Sequence, residues 1–153
     1  MPENFDVALS SAQDDRDVAK TIADALENRG LRVFFDQSAE LWGQDLYDYQ
    51  RKIYVSRICV VVLSQSYGRS KWNQLELSNL AAHSETTGSF AILPIRIPDS
   101  PVPPELKHLQ FIDYSASSLQ RIVEAVEKRL ENLPSRERDV SVEQYHVIRR
   151  ERY

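Results

Sequence analysis

Six consecutive apolar residues, from Ile58 to Leu63, constrain the fold more than any other feature of this sequence. The run is rich in β-branched residues and has the length of a strand that is buried on both faces. Such strands are typical of parallel sheets that helices cover on each side. The run therefore predicts the central strand of an α/β fold.

Weaker strand and helix signals alternate on both sides of this run. Strand-like apolar residues stand at 6–9, 31–35, 90–95 and 111–112, and apolar residues recur at helical spacing at about 16–29, 46–55, 71–83 and 118–133. Right-handed connections between parallel strands place the helices on both faces of the sheet. We therefore expect a flavodoxin-like three-layer sandwich with a five-stranded parallel sheet.

Two local features refine this expectation. Asp14 or Asp15 stands where it can cap the first helix. Pro94 lacks a backbone N–H, which indicates that the fourth strand lies near an edge of the sheet or ends its ladder there.

The chain length of 153 residues fits a single domain. We place this domain at residues 1–133. Residues 134–153 are mostly charged and predict a solvated tail, or a linker to an absent domain.

Composition argues against several function classes. The net charge of −4 gives no general attraction to nucleic acid. No run approaches the ~20 apolar residues of a membrane span, and no signal peptide is recognisable, so we expect a cytoplasmic protein without membrane contact. A single cysteine, Cys59, and three histidines far apart in sequence give no basis for a disulfide framework or a metal site.

Ligands of such sheets bind beyond the carboxyl ends of the strands, where the strand order reverses. The first strand ends in Ser10 and Ser11, and no glycine precedes Gly30, so the glycine-rich dinucleotide motif is missing. The P-loop and the esterase motif G-x-S-x-G are missing too. The third strand ends in Ser64-Gln65-Ser66 and not in the aspartate that a phosphoacceptor receiver needs. These common sites are excluded.

One pair of residues remains as a candidate site. Trp72 and Glu76 lie four residues apart in a predicted helix that follows the third strand, so they share one face of that helix. A solvated glutamate and a core tryptophan are the structural alternatives for this pair.

Taken together, the strands, the strand ends and the pair of Trp72 and Glu76 described above resemble a TIR domain, the Toll/interleukin receptor homology fold, of the prokaryotic type. The resemblance covers Asn4 to about Leu133. The matching segments, in chain order, are Phe5–Ala12, Val33–Asp36 with Gly43 and Leu46, Val62–Ser64, Trp72 with Glu76, and Ile92–Ile95. Each segment is unspecific alone, and their order and spacing carry the resemblance.

The resemblance implies an enzyme that cleaves NAD between nicotinamide and ribose and releases ADP-ribose or a cyclic isomer of it. In that case Glu76 is the catalytic carboxylate, and Trp72 packs beside the nicotinamide ring or shapes the pocket. Nicotinamide leaves from a pyridinium without protonation, so one carboxylate near the ribose can suffice. NAD is then the substrate, and no cofactor is expected.

The resemblance also assigns substrate contacts. Ser10 and Ser11 match the loop that lines the family's pocket, although many members carry a bulkier residue at the position of Ser11. Asp36 ends the second strand, and a turn-forming role is its alternative. The substrate-binding residues implied in the loop that follows are Trp42, Gly43 and Leu46.

The resemblance further implies TIR–TIR self-association, with the exposed Trp42 at the contact, and a fused or separate sensor domain in bacterial defence signalling. Two other functions stay open. The chain is a TIR interaction module without catalysis, or it is an enzyme similar to nucleoside 2-deoxyribosyltransferases. Turnover of NAD, of nucleosides or of neither separates the three.

Overall fold

The computed structural model describes residues 5–35, 51–69 and 71–134. In these residues five strands form one parallel sheet in the order β2-β1-β3-β4-β5. The strands are β1 (Val7–Ser10), β2 (Val33–Phe34), β3 (Ile58–Leu63), β4 (Ala91–Arg96) and β5 (Ile112–Asp113). This order is the predicted flavodoxin-like topology, and the run at Ile58–Leu63 is its central strand, buried along its whole length.

Four helices connect or follow the strands in the described part of the chain. They are α1 (Arg16–Glu27), α2 (Gln65–Arg69), α3 (Lys71–Thr86) and α4 (Leu119–Asn132). Residues 51–54 are helical as well, and the rest of the helix predicted at about 46–55 lies outside the described residues. The short helix α2 replaces the loop expected after β3.

The first of the two alternatives predicted for Pro94 is confirmed. β4 lies next to the edge strand β5, as expected. Its ladder with β3 nevertheless continues beyond Pro94 through Ile95 and Arg96. The strand β5 pairs with β4 only at these last two residues, so Pro94 stands before the start of the β4–β5 ladder.

Side chains of the central strands alternate between two apolar clusters, one on each face of the sheet. The α1/α4 face holds one cluster, made of Val7, Leu9, Ile22, Ala23, Leu26, Ile58, Val60, Val62, Ala91, Ile95, Ile122, Val123 and Val126. The α2/α3 face holds the other, made of Ala8, Ala12, Ile53, Tyr54, Cys59, Val61, Leu63, Tyr67, Leu77, Leu80, Phe90, Ile92 and Leu106. Both faces are therefore covered, which completes the predicted three-layer sandwich.

Candidate active site

Three buried polar side chains meet near the carboxyl ends of β1 and β3. Ser10 is the last residue of β1 and is fully buried, and Glu76 on α3 has an exposed fraction of only 1%. Tyr67 on α2 is also 1% exposed. The site thus joins one strand and two helices at the point where the strand order reverses.

The three side chains form a hydrogen-bonded chain. Ser10 Oγ donates to Glu76 Oε1 at 2.6 Å. Ser10 Oγ and the hydroxyl oxygen of Tyr67 are 3.0 Å apart. The second carboxyl oxygen of Glu76 is buried and has no hydrogen-bond partner within the described residues.

Burial controls the ionisation of Glu76. Loss of hydration raises the pKa of this carboxyl from 4.5 to about 7, and the hydrogen bond from Ser10 opposes the rise because it favours the charged form. A carboxyl with this pKa changes its charge near neutral pH. Its environment therefore resembles that of carboxyl groups that act in catalysis.

The thiol of Cys59 lies on the same face of the sheet. Burial, and secondarily the charge of Glu76, raise the pKa of this thiol well above its ordinary value. The thiol stays protonated and behaves as a small apolar group. Among the described residues, no group of three or more His, Cys, Asp or Glu side chains is placed to bind a metal ion.

Two acids after β1 connect its loop to the segment after β3. Asp15 Oδ2 accepts a hydrogen bond from Ser64 Oγ, and Asp14 Oδ2 accepts one from Ser66 Oγ at 2.9 Å. Ser64 Oγ in turn accepts the backbone N–H of Tyr67 at 3.0 Å. Asp15 is the N-cap residue of α1, as expected, but its side chain makes no capping hydrogen bond. Both carboxylates instead fix the segment that carries Tyr67.

The structure tests the predicted placement of only some site residues. It brings Ser10 and Glu76 together, whereas it shows no hydrogen bond between Glu76 and the half-buried Ser11. The backbone of Trp72 lies one turn before Glu76 on α3, and its side chain is outside what the structure describes. The other substrate contacts of the sequence prediction, namely Asp36, Trp42, Gly43 and Leu46, also lie outside the described residues.

No sequence pattern singles out Tyr67 as a site residue. It lies between the predicted third strand and the predicted helix at about 71–83, and only its position as the one large aromatic side chain in the polar segment 64–70 indicates burial. Its hydroxyl contacts Ser10, which no local pattern reveals.

A cavity of about 450 Å³ adjoins this site at the carboxyl ends of β3 and β4. Tyr67 forms part of its wall, and Glu76 does not line it. The other lining residues are Leu63, Ser64, Gly68, Gln74, Leu77, Ser78, Pro101, Val102, Pro103, Pro104 and Glu105. The carboxyl is therefore closed off from the cavity in this conformation.

Comparison with known proteins identifies relatives over most of the chain. Residues 7–130 match the family described as TIR domain. The chain is 31% identical to the 3' cyclic ADP-D-ribose synthase AaTIR of Aquimarina amphilecti, over 82% of this chain and 40% of that protein. It is 32% identical to the NAD(+) hydrolase TcpA of Theionarchaea archaeon (strain DG-70-1), over 60% of this chain and 28% of that protein. The chain thus spans less than half the length of both relatives.

Solved structures show the same fold at lower identity. The TIR domain of the Toll-related receptor TRR-2 from Hydra magnipapillata superposes with a TM-score of 0.67 at 20% identity, over 84% of this chain and all of that domain. The heterodimer of the RPS4 and RRS1 TIR domains gives a TM-score of 0.59 at 15% identity, over 84% of this chain and 99% of the matched chain. Sequence and fold together confirm that this chain belongs to the TIR domain family.

Proposed function

We propose that this TIR domain is an NAD glycohydrolase that cleaves the bond between nicotinamide and ribose. The observation that carries the proposal is the buried carboxyl of Glu76, held by Ser10 at the strand-order reversal of the sheet. Relatives named as an NAD(+) hydrolase and a cyclic ADP-D-ribose synthase support the substrate. None of the helices in the described residues has the length and apolar composition of a membrane span.

The chemistry follows from the charge of the leaving group. The C–N bond breaks with its electron pair on nicotinamide, which turns the pyridinium into a neutral molecule. Positive charge develops on the ribose, and the Glu76 carboxylate stabilises it in a low-dielectric site. Water then bonds to the ribose carbon and gives up a proton to Glu76 or to solvent, and the product is ADP-ribose. Attack by a nucleophile within the same molecule gives a cyclic isomer instead.

NAD cannot reach the carboxyl of Glu76 unless some of the residues packed around it move. The carboxyl is almost completely buried in this conformation, so NAD must displace part of the surrounding structure to reach it. Some of the binding free energy of NAD is then used for this opening, and an isolated subunit binds NAD weakly.

Incubation of the purified chain with NAD, followed by separation of the products, tests the proposal. We expect nicotinamide together with ADP-ribose or a cyclic isomer. Glu76→Gln should lower the rate at least ~100-fold, because it removes one preorganised charge. Glu85→Gln is the matched control, since Glu85 is an exposed residue of the same helix. Equal rates in Glu76→Gln and wild-type protein would reject Glu76 as the catalytic group.

We also propose that self-association raises this activity, with Trp42 at the contact, in a cytoplasmic bacterial defence system with a sensor domain. The RPS4 and RRS1 TIR domains, which share the fold, form a heterodimer. An adjacent subunit can add contacts to NAD. The same association without catalysis is the alternative function, and absence of NAD cleavage at high protein concentration would favour it.

A dilution series measures this effect. Specific activity should fall as the protein is diluted and as the particle size from light scattering decreases. Trp42→Ala should lower activity while the monomer stays folded. Constant and substantial specific activity of a monomer at every dilution would overturn the association model and leave the role of Glu76 untouched.

A further inference from the structure

We propose that Tyr67 is a positioning residue that acts on Glu76 through the hydroxyl of Ser10. The proposal rests on the proposed role of Glu76 in NAD cleavage. Its structural basis is the chain of hydrogen bonds that links Tyr67 to Ser10 and Ser10 to Glu76.

The direction of the two hydrogen bonds follows from the number of available protons. The Ser10 hydroxyl has one hydrogen, which it donates to the carboxyl of Glu76 at 2.6 Å. The oxygen of Ser10 can then only accept in its contact with Tyr67 at 3.0 Å. Tyr67 is therefore the donor, and the chain runs from the phenol through the hydroxyl to the carboxylate.

The phenol keeps its proton throughout the working range of pH. Burial, and secondarily the charge of Glu76, raise the pKa of Tyr67 well above its ordinary value of 10. Tyr67 can thus donate whether Glu76 is charged or neutral. A hydroxyl that accepts a hydrogen bond becomes a stronger donor itself, so Tyr67 strengthens the bond from Ser10 to the carboxylate.

The three groups are held by separate elements of the fold. Pairing of β1 with β3 at Ser10 and Val61 fixes the serine. The hydrogen bond from the Tyr67 backbone N–H to Ser64 Oγ fixes the start of α2. Tyr67 therefore orients Ser10 toward Glu76 and favours the ionised carboxylate against the cost of burial.

Among the described residues, two other titratable groups influence the hydrogen-bonded chain of Tyr67, Ser10 and Glu76. Cys59 on β3 stays protonated and therefore neutral. The charge of Glu105, on the neighbouring 3-10 helix, raises the pKa of the Tyr67 phenol and so helps to keep it protonated. Neither group replaces the hydrogen bond that Ser10 donates to Glu76, so removal of the phenol hydroxyl should reach the carboxyl through Ser10.

A titration followed by NMR of the side-chain carboxyl carbon of Glu76 tests the proposal without any assay of NAD. The signal is assigned by its loss in Glu76→Gln. We expect Tyr67→Phe to raise the pKa of Glu76 by about half a pH unit and Ser10→Ala to raise it by about one unit or more. Tyr54→Phe, at another buried tyrosine of the same cluster, should leave the pKa at its wild-type value.

The pH profile of NAD cleavage is the second measurement. The acidic limb of kcat/KM should move to higher pH in Tyr67→Phe by the same amount as the NMR titration. A uniform loss of rate at every pH, with the wild-type pKa of Glu76, would assign Tyr67 a merely structural role and overturn the proposal. If wild-type protein does not cleave NAD, the proposed function fails, and the NMR titration still decides whether Tyr67 acts on Glu76.

A further variant covers the case in which Tyr67→Phe does not fold. Difluorotyrosine at position 67 keeps the shape of the side chain and makes its hydroxyl a stronger donor. It should shift the titration of Glu76 in the opposite direction, to lower pH. An unchanged titration in folded difluorotyrosine protein would overturn the proposal as well.

Discussion

The two faces of the sheet differ in what they bury. Among the described residues, the buried members of the α1/α4 cluster are all aliphatic. The α2/α3 cluster contains two tyrosines, Cys59 and Phe90, and the buried pair of Ser10 and Glu76 lies at its end. Both faces arise from the same strands, because alternate residues point to opposite sides.

This difference separates stability from chemistry. An aliphatic cluster stabilises the fold through burial alone. A buried carboxyl on the opposite face costs stability when it is ionised, because it loses hydration that one hydrogen bond only partly replaces. Burial on the α1/α4 face thus stabilises a fold that the ionised carboxyl on the α2/α3 face destabilises. Four predictions test this contrast.

The largest expected effect comes from a cavity in either cluster. Leu26 on α1 and Leu80 on α3 are both fully buried, and replacing either by alanine should lower the free energy of unfolding by about 2–5 kcal/mol. Only Leu80→Ala should also lower the rate of NAD cleavage in protein that is still folded, because α3 carries Glu76. Denaturant unfolding and activity below the melting temperature measure both effects, and equal activity of the two variants would refute the contrast.

The next effect is a dependence of stability on pH. The pKa of Glu76 is about 7 in the folded state and 4.5 in the reference state, so its contribution is fully present below pH 4.5 and is lost as the pH rises through 7. The loss amounts to about 3 kcal/mol, from about 1.4 kcal/mol per pH unit. The free energy of unfolding, measured in denaturant between pH 4.5 and 8, should fall by this amount in wild-type protein relative to Glu76→Gln. Parallel curves for the two proteins would contradict the prediction.

A third prediction concerns the acidic limb of the rate profile. Below pH 7, kcat/KM should fall about tenfold per pH unit, since this parameter reports the ionisation of Glu76 in the free enzyme. The limb of kcat should lie at lower pH, because the positive nicotinamide ring of bound NAD favours the carboxylate. Steady-state kinetics across this range test both statements. A flat profile from pH 5 to 8 would show that another group controls the rate.

The smallest effect is expected for removal of residues 134–153. Helix α4 ends at Asn132, and Arg57 donates to the backbone oxygens of Leu130 and Leu133 at 3.3 and 3.4 Å. The end of the domain is thus fixed without the tail, and the free energy of unfolding should change by less than about 0.5 kcal/mol. Thermal melting of the shortened chain measures this, and a marked decrease would show that the tail packs on the domain.

The fold was accessible from the sequence because its strongest signals are local. The run at Ile58–Leu63 marks a buried strand by composition alone, and the order of strands and helices around it implies the parallel sheet. For Pro94 the position near the sheet edge was predictable. Whether the ladder of β4 with β3 continues beyond Pro94 was not, because it depends on the neighbouring strands.

The candidate site was predictable only in part. Glu76 followed from a motif in its family context, whereas its nearly complete burial depends on how α3 packs against the sheet. Tyr67 and the two acids after β1 act through contacts between residues about 50 or more positions apart. No local pattern encodes such contacts. From the sequence, Tyr67 is only part of the polar segment after the third strand, and Asp14 or Asp15 is only a candidate helix cap.

Under the proposed function, the burial of Glu76 makes the apparent affinity for NAD a product of two quantities. One is the intrinsic affinity of the open form, and the other is the fraction of molecules that are open. Because the resting form hides the carboxyl, an activator that opens the site tenfold more often lowers the apparent Kd about tenfold while the open fraction stays small. Such an activator needs no contact with NAD. A domain of this kind can therefore respond to any signal that favours opening, whatever the chemistry of that signal.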